Sequence, residues 1–489
     1  MRILHVAAEI FPYVKVGGLA DVLAALPAAQ RALGADARVL VPGYPALLQG
    51  IPNLKPTGTV GDLLGLWKAR LLQGTTATGV PIYVLDCPIL FDRPGGPYDD
   101  PGDSHRKFGS LAWGGARLAM GGDGSGWIPE VVQAHDWQVG LLPVYLAQAG
   151  GARPGTVVTI HNMAYQGIYP RDLLAELGLA PACFNIGGVE FYGKISFLKA
   201  GIAYADRITT VSPTYALEIQ LPEEGAGLDG LLSQRAEVLT GILNGVDYQV
   251  WNPASSPHLK THFDAGHLAA RKVNKSLLQH TVGLDEAPGD PLFAVVSRLA
   301  EQKGLDLVLE NVPRLIQRSA QLLVLGTGDP ALEAGFKAAA AAHPGRVAAV
   351  LGFDEDLAHR VLAGADVVLV PSRQEPCGLT QLYALRYGAL PLVRRTGGLA
   401  DTVVDATARS LVDGTATGFV FDEPTSLILG ETIDRACQTY RKDPVTWTRI
   451  QRQGMARDFG WETSAKQYLA LYGLMIDRQA RDRTHHPSK

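Results

Sequence analysis

Ile3-Leu4-His5-Val6-Ala7-Ala8, followed after a short loop by Lys15-Val16-Gly17-Gly18-Leu19-Ala20-Asp21, sets the fold of the whole chain. The first run is apolar without alternation, as a strand buried on both faces must be. The paired glycines then open a helical pattern. Similar short runs rich in Val, Ile and Leu recur at residues 37–41, 157–160, 292–297, 322–325, 347–351, 367–370 and 390–393. Strands alternating with helices imply right-handed βαβ units and parallel sheets, an α/β fold. The series lapses over residues 246–291, a polar stretch holding Trp251-Asn252-Pro253 and Ser255-Ser256-Pro257, and restarts at Leu292. Two doubly wound domains follow, 1–245 and 246–460. A helix at 461–478 can cross back, and 479–489 reads as a frayed tail.

Composition narrows the function. Of 489 residues, 47% are hydrophobic and 19% charged, so core material is ample. A net charge of -4 calls for neither nucleic acid nor an anionic membrane as partner. Cys87, Cys183, Cys377 and Cys437 form no CxxC pair and fit a reducing cytoplasm. The N-terminal run is too short for a signal peptide, and no stretch is long and apolar enough to span a membrane.

Polar residues gather just past the strand-like runs, where open α/β sheets bind ligands. The segment 15–21 can be a diphosphate cradle, with close backbone approach at Gly18, helix N–H groups, and Lys15 as a cation beside Asp21. It can equally be a plain turn with a solvated lysine. Arg298 and Lys303 can clamp a departing diphosphate or belong to a surface turn. Glu375-Pro376-Cys377-Gly378-Leu379-Thr380 can hold sugar hydroxyls, and Cys377 lacks a paired base, which favours packing or contact over a nucleophilic role. His135-Asp136-Trp137 and His161-Asn162 stand at successive strand ends and suggest a pocket. Asp354-Glu355-Asp356 matches a D-x-D metal pattern, although three acids in a row usually make a solvated turn. Gly-Gly-Leu-Ala-Asp occurs twice, at 17–21 and 397–401, with unlike flanks. G-x-S-x-G is absent, and no G-x-G-x-x-G follows the first strand.

Taken together, Lys15-Val-Gly-Gly-Leu, His161-Asn162, Gly193-Lys-Ile-Ser-Phe-Leu-Lys-Ala-Gly201, Asn244-Gly-Val-Asp247, Arg298 with Lys303, and Glu375-Pro-Cys-Gly-Leu-Thr-Gln-Leu resemble the bacterial glycogen synthase and plant starch synthase family. The resemblance runs from about residue 2 to about 472. It implies the GT-B fold, two Rossmann-like domains facing a deep cleft. It also implies glucose transfer from ADP-glucose to the non-reducing end of an α-1,4-glucan such as glycogen or a maltooligosaccharide, with retention and without metal or cofactor. By motif position, Lys15, Gly18 and Asp21 would meet the donor, and Arg298 and Lys303 would hold its diphosphate. His161 would sit against the glucose near developing positive charge. Asp136, Asn162, Asn244, Glu375, Cys377, Gly378, Leu379 and Thr380 would line the substrate site, and Phe353 would stack on adenine. No pair of carboxylates stands out for a two-step glycosidase route, so a front-face reaction is expected. Two departures bear on the donor. Tyr383 occupies a position where related transferases often carry a second Glu, and Phe353 is Tyr in many relatives. The alternative is a retaining GT-B transferase using UDP-glucose or another acceptor.

Overall fold

The computed structural model describes residues 1–99 and 102–485. It divides into two compact units, one of Met1–Gly245 with Trp461–Lys489, the other of Val246–Gly460. Among the described residues, nine strands form the main sheet of the first unit. They are β1 (Arg2–Val6), β2 (Asp36–Pro42), β3 (Lys55–Gly58), β4 (Arg70–Thr75), β5 (Pro81–Asp86), β6 (Val131–His135), β7 (Gly155–Ile160), β8 (Arg207–Thr210) and β9 (Leu239–Gly241). Their order is β9-β8-β7-β6-β1-β2-β5-β4-β3. Neighbours from β9 to β5 pair in parallel, while β4 runs antiparallel to both β5 and β3. That antiparallel edge departs from the all-parallel sheet expected of the sequence. Lys55-Pro56-Thr57-Gly58 has no apolar run to betray a strand, and only its pairing with β4 makes it one.

Alternation along β1 explains the two-layer core. Leu4, Val6 and Ala8 enter one hydrophobic cluster, Ile3 and Ala7 the other, so a continuous apolar run feeds both faces. The final helix, Trp461–His485, belongs to the first unit. Trp461, Ala465, Tyr468, Tyr472 and Met475 recur every three or four residues and join the same cluster as Ile3, Leu19 and Leu23. This helix continues past 479, where the sequence suggested fraying; residues 486–489 lie outside the described residues.

Among the described residues, the second unit has a six-stranded, wholly parallel sheet. Its strands are β10 (Leu292–Val296), β11 (Gln321–Gly326), β12 (Val347–Leu351), β13 (Val367–Val370), β14 (Leu390–Arg394) and β15 (Phe419–Phe421), in the order β12-β11-β10-β13-β14-β15. Phe293 and Val295 pack to one side, Leu292 and Ala294 to the other. In both sheets the winding reverses beside the first strand, between β1 and β6 and between β10 and β13. A crevice opens at the carboxyl ends of strands at such a switch point.

Candidate active site

In the first unit, β6 and β7 deliver His135-Asp136 and His161-Asn162 to the switch point beside β1. His135 Nδ1 lies 3.1 Å from His161 Nε2; His135 is fully buried and His161 half-buried. Burial drives the His161 imidazole down to about 3. Asp136 is buried and holds a left-handed φ of 66° with ψ of -176°, a conformation costly for a residue with a side chain. Its carboxylate accepts from the Trp137 amide at 3.0 Å, and its own amide donates to the Thr159 carbonyl at 2.8 Å. Burial raises the Asp136 carboxyl to about 8 against the pull of that amide. The Asn162 side chain closes a turn, its Oδ1 accepting from the Ala164 amide at 2.9 Å. Buried Asn244, past the end of β9, has no partner for its Oδ1 among the described residues.

The loop after β1 is organised by Glu9. One of its carboxylate oxygens accepts from the amides of Val16 at 2.6 Å and Gly17 at 3.2 Å, and the other accepts from the Tyr98 hydroxyl. Helix Gly18–Ala32 then begins with no side-chain cap, leaving its first N–H groups open. A Cβ on Gly17 would meet no atom within 4 Å, so the turn faces free space. Lys15 is not a free cation: its Nζ is 2.8 Å from Asp21, whose carboxyl is raised by burial and drawn back by the lysine.

In the second unit, Arg298 lies two residues past the end of β10; it is exposed and has no side-chain partner among the described residues. Lys303 closes a 3-10 turn, and its Nζ lies 2.9 and 2.7 Å from the two oxygens of Glu375. Ser372 also donates to Glu375, at 2.8 Å. Glu375 is buried, so two residues expected to act separately form one partly shielded ion pair. Past it, Cys377 is buried and its carbonyl accepts from Gln381 at 2.9 Å, a packing role rather than a nucleophilic one. Gly378, at φ 72°, and Leu379 lead into helix Thr380–Tyr387, and Thr380 donates to the Val296 carbonyl of β10 at 3.3 Å.

The repeated pentapeptide does two different jobs. A Cβ on Gly397 would strike the Glu375 carbonyl oxygen, and one on Gly398 the Cys377 backbone. The second copy therefore packs the Glu375 loop, whereas the first opens on space. Phe353, just past β12, is 79% exposed, unusual for so large an apolar ring. Tyr383 stacks on Trp251 at 3.9 Å between ring centroids, and Trp251 stacks in turn on His359 at 4.0 Å. Asp354 caps helix Glu355–Gly364 through the Leu357 amide, and Asp356 pairs with His258 at 2.8 Å. Two of the three acids are thus engaged locally, and no group of metal-ligand side chains occurs among the described residues.

Comparison with known proteins gives the family. Residues 2–234 match the starch synthase catalytic domain, and residues 281–448 match glycosyl transferases group 1. The chain is 50% identical over 480 residues to the glycogen synthase of Paramagnetospirillum magneticum, covering 96% of this chain and 97% of that one. It is 52% identical to the glycogen synthase of Yersinia enterocolitica, covering 96% and 99%. The chain belongs to the glycogen synthase family. Its structure superposes on the catalytic domain of starch synthase IV from Arabidopsis thaliana, bound to ADP and acarbose, with a TM-score of 0.89 at 32% identity, covering 97% of this chain and 99% of that one. Sucrose-phosphate synthase from Thermosynechococcus elongatus shares the fold, with a TM-score of 0.61 at 18% identity, covering 98% and 99%. The fold is GT-B, and this glycogen synthase family member is a glucosyltransferase.

Several residues packed around these strand ends escape sequence reading. Glu9 is visible in the sequence as an acid ending an apolar run, but nothing in its spacing tells that it would tie down residues 15–17. His5 and Gln30 sit inside a strand and a helix, where polar residues carry no positional signal. Tyr472 acts through Gln30 and Gln133, partners distant in sequence. Lys199, within the 193–201 motif, is buried and donates to the carbonyls of Ile186, at 2.8 Å, and Glu190, which gives it a structural task. No helix among the described residues is long and apolar enough to cross a membrane.

Proposed function

We propose that the chain transfers glucose from ADP-glucose to the non-reducing end of an α-1,4-glucan, with retention and without a metal. The observation that carries this reading is the set of groups at the two switch points. His161 and Asp136 stand at the ends of β7 and β6, and Arg298, Lys303 and Glu375 follow β10 and β13. Breaking the bond from C1 to the diphosphate leaves negative charge on phosphate and positive character on the sugar. Of the three cations assigned to the phosphate, Lys15 is paired with Asp21 and Lys303 with Glu375. Arg298 has no carboxylate partner among the described residues, so it carries most of the uncompensated positive charge for the diphosphate. The open amides of Gly18 and its successors add a helix N-terminus.

The acids support a front-face route. Glu9 is committed to two amides and Tyr98, Glu375 to Lys303 and Ser372, and Asp136 has its carboxyl raised to about 8. None is a free carboxylate nucleophile of the kind a double-displacement route requires. The departing phosphate oxygen then accepts the proton of the attacking glucan hydroxyl. Asn162, Asn244 and Cys377 to Thr380 contact sugar, and exposed Phe353 offers a face to adenine. The four cysteines, all buried and free, suit a reducing cytoplasm. Ligand-induced melting shifts test the donor. ADP-glucose at a hundred times its Kd stabilises by about 2.7 kcal/mol, whereas NAD leaves the melting unchanged. A shift with UDP-glucose but not ADP-glucose would move the donor assignment to UDP-glucose.

A further inference from the structure

His161 is the outer end of a buried chain of hydrogen bonds. Inward from its contact with His135, His135 Nε2 lies 3.0 Å from His5 Nδ1, and His5 Nε2 lies 2.7 Å from Gln30 Oε1. His5, His135 and Gln30 are fully buried. Gln30 Nε2 in turn donates to the Tyr472 hydroxyl at 3.3 Å, and that hydroxyl donates to Gln133 Oε1. Gln133 Nε2 donates to Thr159 Oγ1 at 2.6 Å. Each link holds one proton, and a neutral imidazole has one N–H and one lone pair, so a choice made at one end propagates to the other. The Gln30 oxygen only accepts. His5 must therefore donate from Nε2 and accept at Nδ1. His135 then donates from Nε2 to His5 and accepts at Nδ1, and His161 donates from Nε2. Nδ1 of His161 is left as a lone pair. Burial keeps the chain neutral, with His5 down to about 4, His135 well below its ordinary value and His161 at about 3.

We propose that Gln30, oriented by Tyr472, fixes the tautomer of three histidines in series, so that His161 meets the substrate as a hydrogen-bond acceptor at Nδ1. Gln30, His5, His135 and Tyr472 are positioning residues. The inference rests on the reading of His161 as a group facing the glucose. An acceptor nitrogen takes the proton of a sugar hydroxyl and does not oppose positive charge growing at C1. The opposite tautomer, or an imidazolium, would aim an N–H at that charge. A ligand hydroxyl is thus required at this point, and a group that can only accept would be refused. The last helix of the chain, through Tyr472, acts on the sugar it does not touch.

The test is nitrogen-15 NMR of ring-labelled histidines in the full chain at pH 7, with His161→Asn to assign its signals. The expected spectrum has His5, His135 and His161 neutral, each protonated at Nε2 and bare at Nδ1. A proton on Nδ1 of His161, or an imidazolium there, would overturn the proposal. Gln30→Met removes the fixed acceptor at similar volume. His161 should then show both tautomers and kcat should fall about tenfold, roughly the worth of one neutral hydrogen bond, with a smaller change in KM. An unchanged His161 spectrum and unchanged kcat in that variant would equally defeat the proposal. The wild-type tautomers are read without turnover. The expected spectrum in a protein that transfers no glucose would therefore leave the relay standing and remove the reading of His161 as sugar-facing.

Discussion

Arg298 and Lys303 differ at the level of single residues although both follow β10. Arg298 is exposed and has no carboxylate partner among the described residues, so Arg298→Ala should raise the donor KM at least tenfold while leaving stability within about 0.5 kcal/mol. Lys303→Ala strips a buried carboxylate of its cation and should cost about 1–3 kcal/mol of stability in addition to activity. Pairing it with Glu375→Gln should restore the melting temperature but not turnover. Equal melting losses in the two single variants would contradict this division. The histidines add a pH dependence. His5, His135, His161 and His359 all have folded values below the ordinary 6.5, by burial first. Below 6.5 the unfolded chain binds protons that the folded chain refuses, so their stabilisation is complete above 6.5 and drains as pH falls toward about 4. Asp136 and Asp21, raised by burial, pull the other way but are outnumbered. Arginine-paired Asp206 and Asp306 lose their contribution only below that window. Urea midpoints should therefore fall between pH 7 and 5, and a flat profile would be incompatible with neutral buried rings.

Among the elements, the twin Gly-Gly turns separate packing from binding. Gly398→Ala forces a Cβ into the Cys377 backbone and should cost about 2–4 kcal/mol. Gly17→Ala enters open space at an ordinary φ of -146° and should leave the melting temperature nearly unchanged while weakening donor binding. The opposite pattern would mean that the first turn packs and the second binds. A Gly-Gly-Leu-Ala-Asp string does not distinguish the two, because the difference lies in what faces the glycine. The same limit governs the rest of the site. Strands such as β1 and β13 were legible because burial on both faces demands an unbroken apolar run. Strand β3 was not, since edge pairing asks little of composition. Residues at strand ends, such as His161 and Glu375, could be picked out by position alone. Their partners could not: Lys303 with Glu375 and Lys15 with Asp21 emerge only when side chains are placed in space.

In the whole molecule, the chain returns to its first unit only at Trp461. The returning helix supplies Trp461, Ala465, Tyr468, Tyr472 and Met475 to the core around β1. Truncation after Gly460 should therefore expose Ile3, Leu19 and Leu23 and leave the first unit protease-sensitive, with the second less affected. Equal resistance of both units to limited proteolysis would show that the helix is dispensable to that core. The most direct test of the central claim is glucose transfer to glycogen by the purified full chain, with ADP-glucose or UDP-glucose supplied in parallel in the presence of a chelator. Incorporation chiefly from ADP-glucose, undiminished by the chelator, is the predicted result. Transfer from UDP-glucose alone, or from neither donor while glycogen remains tightly bound, would contradict it.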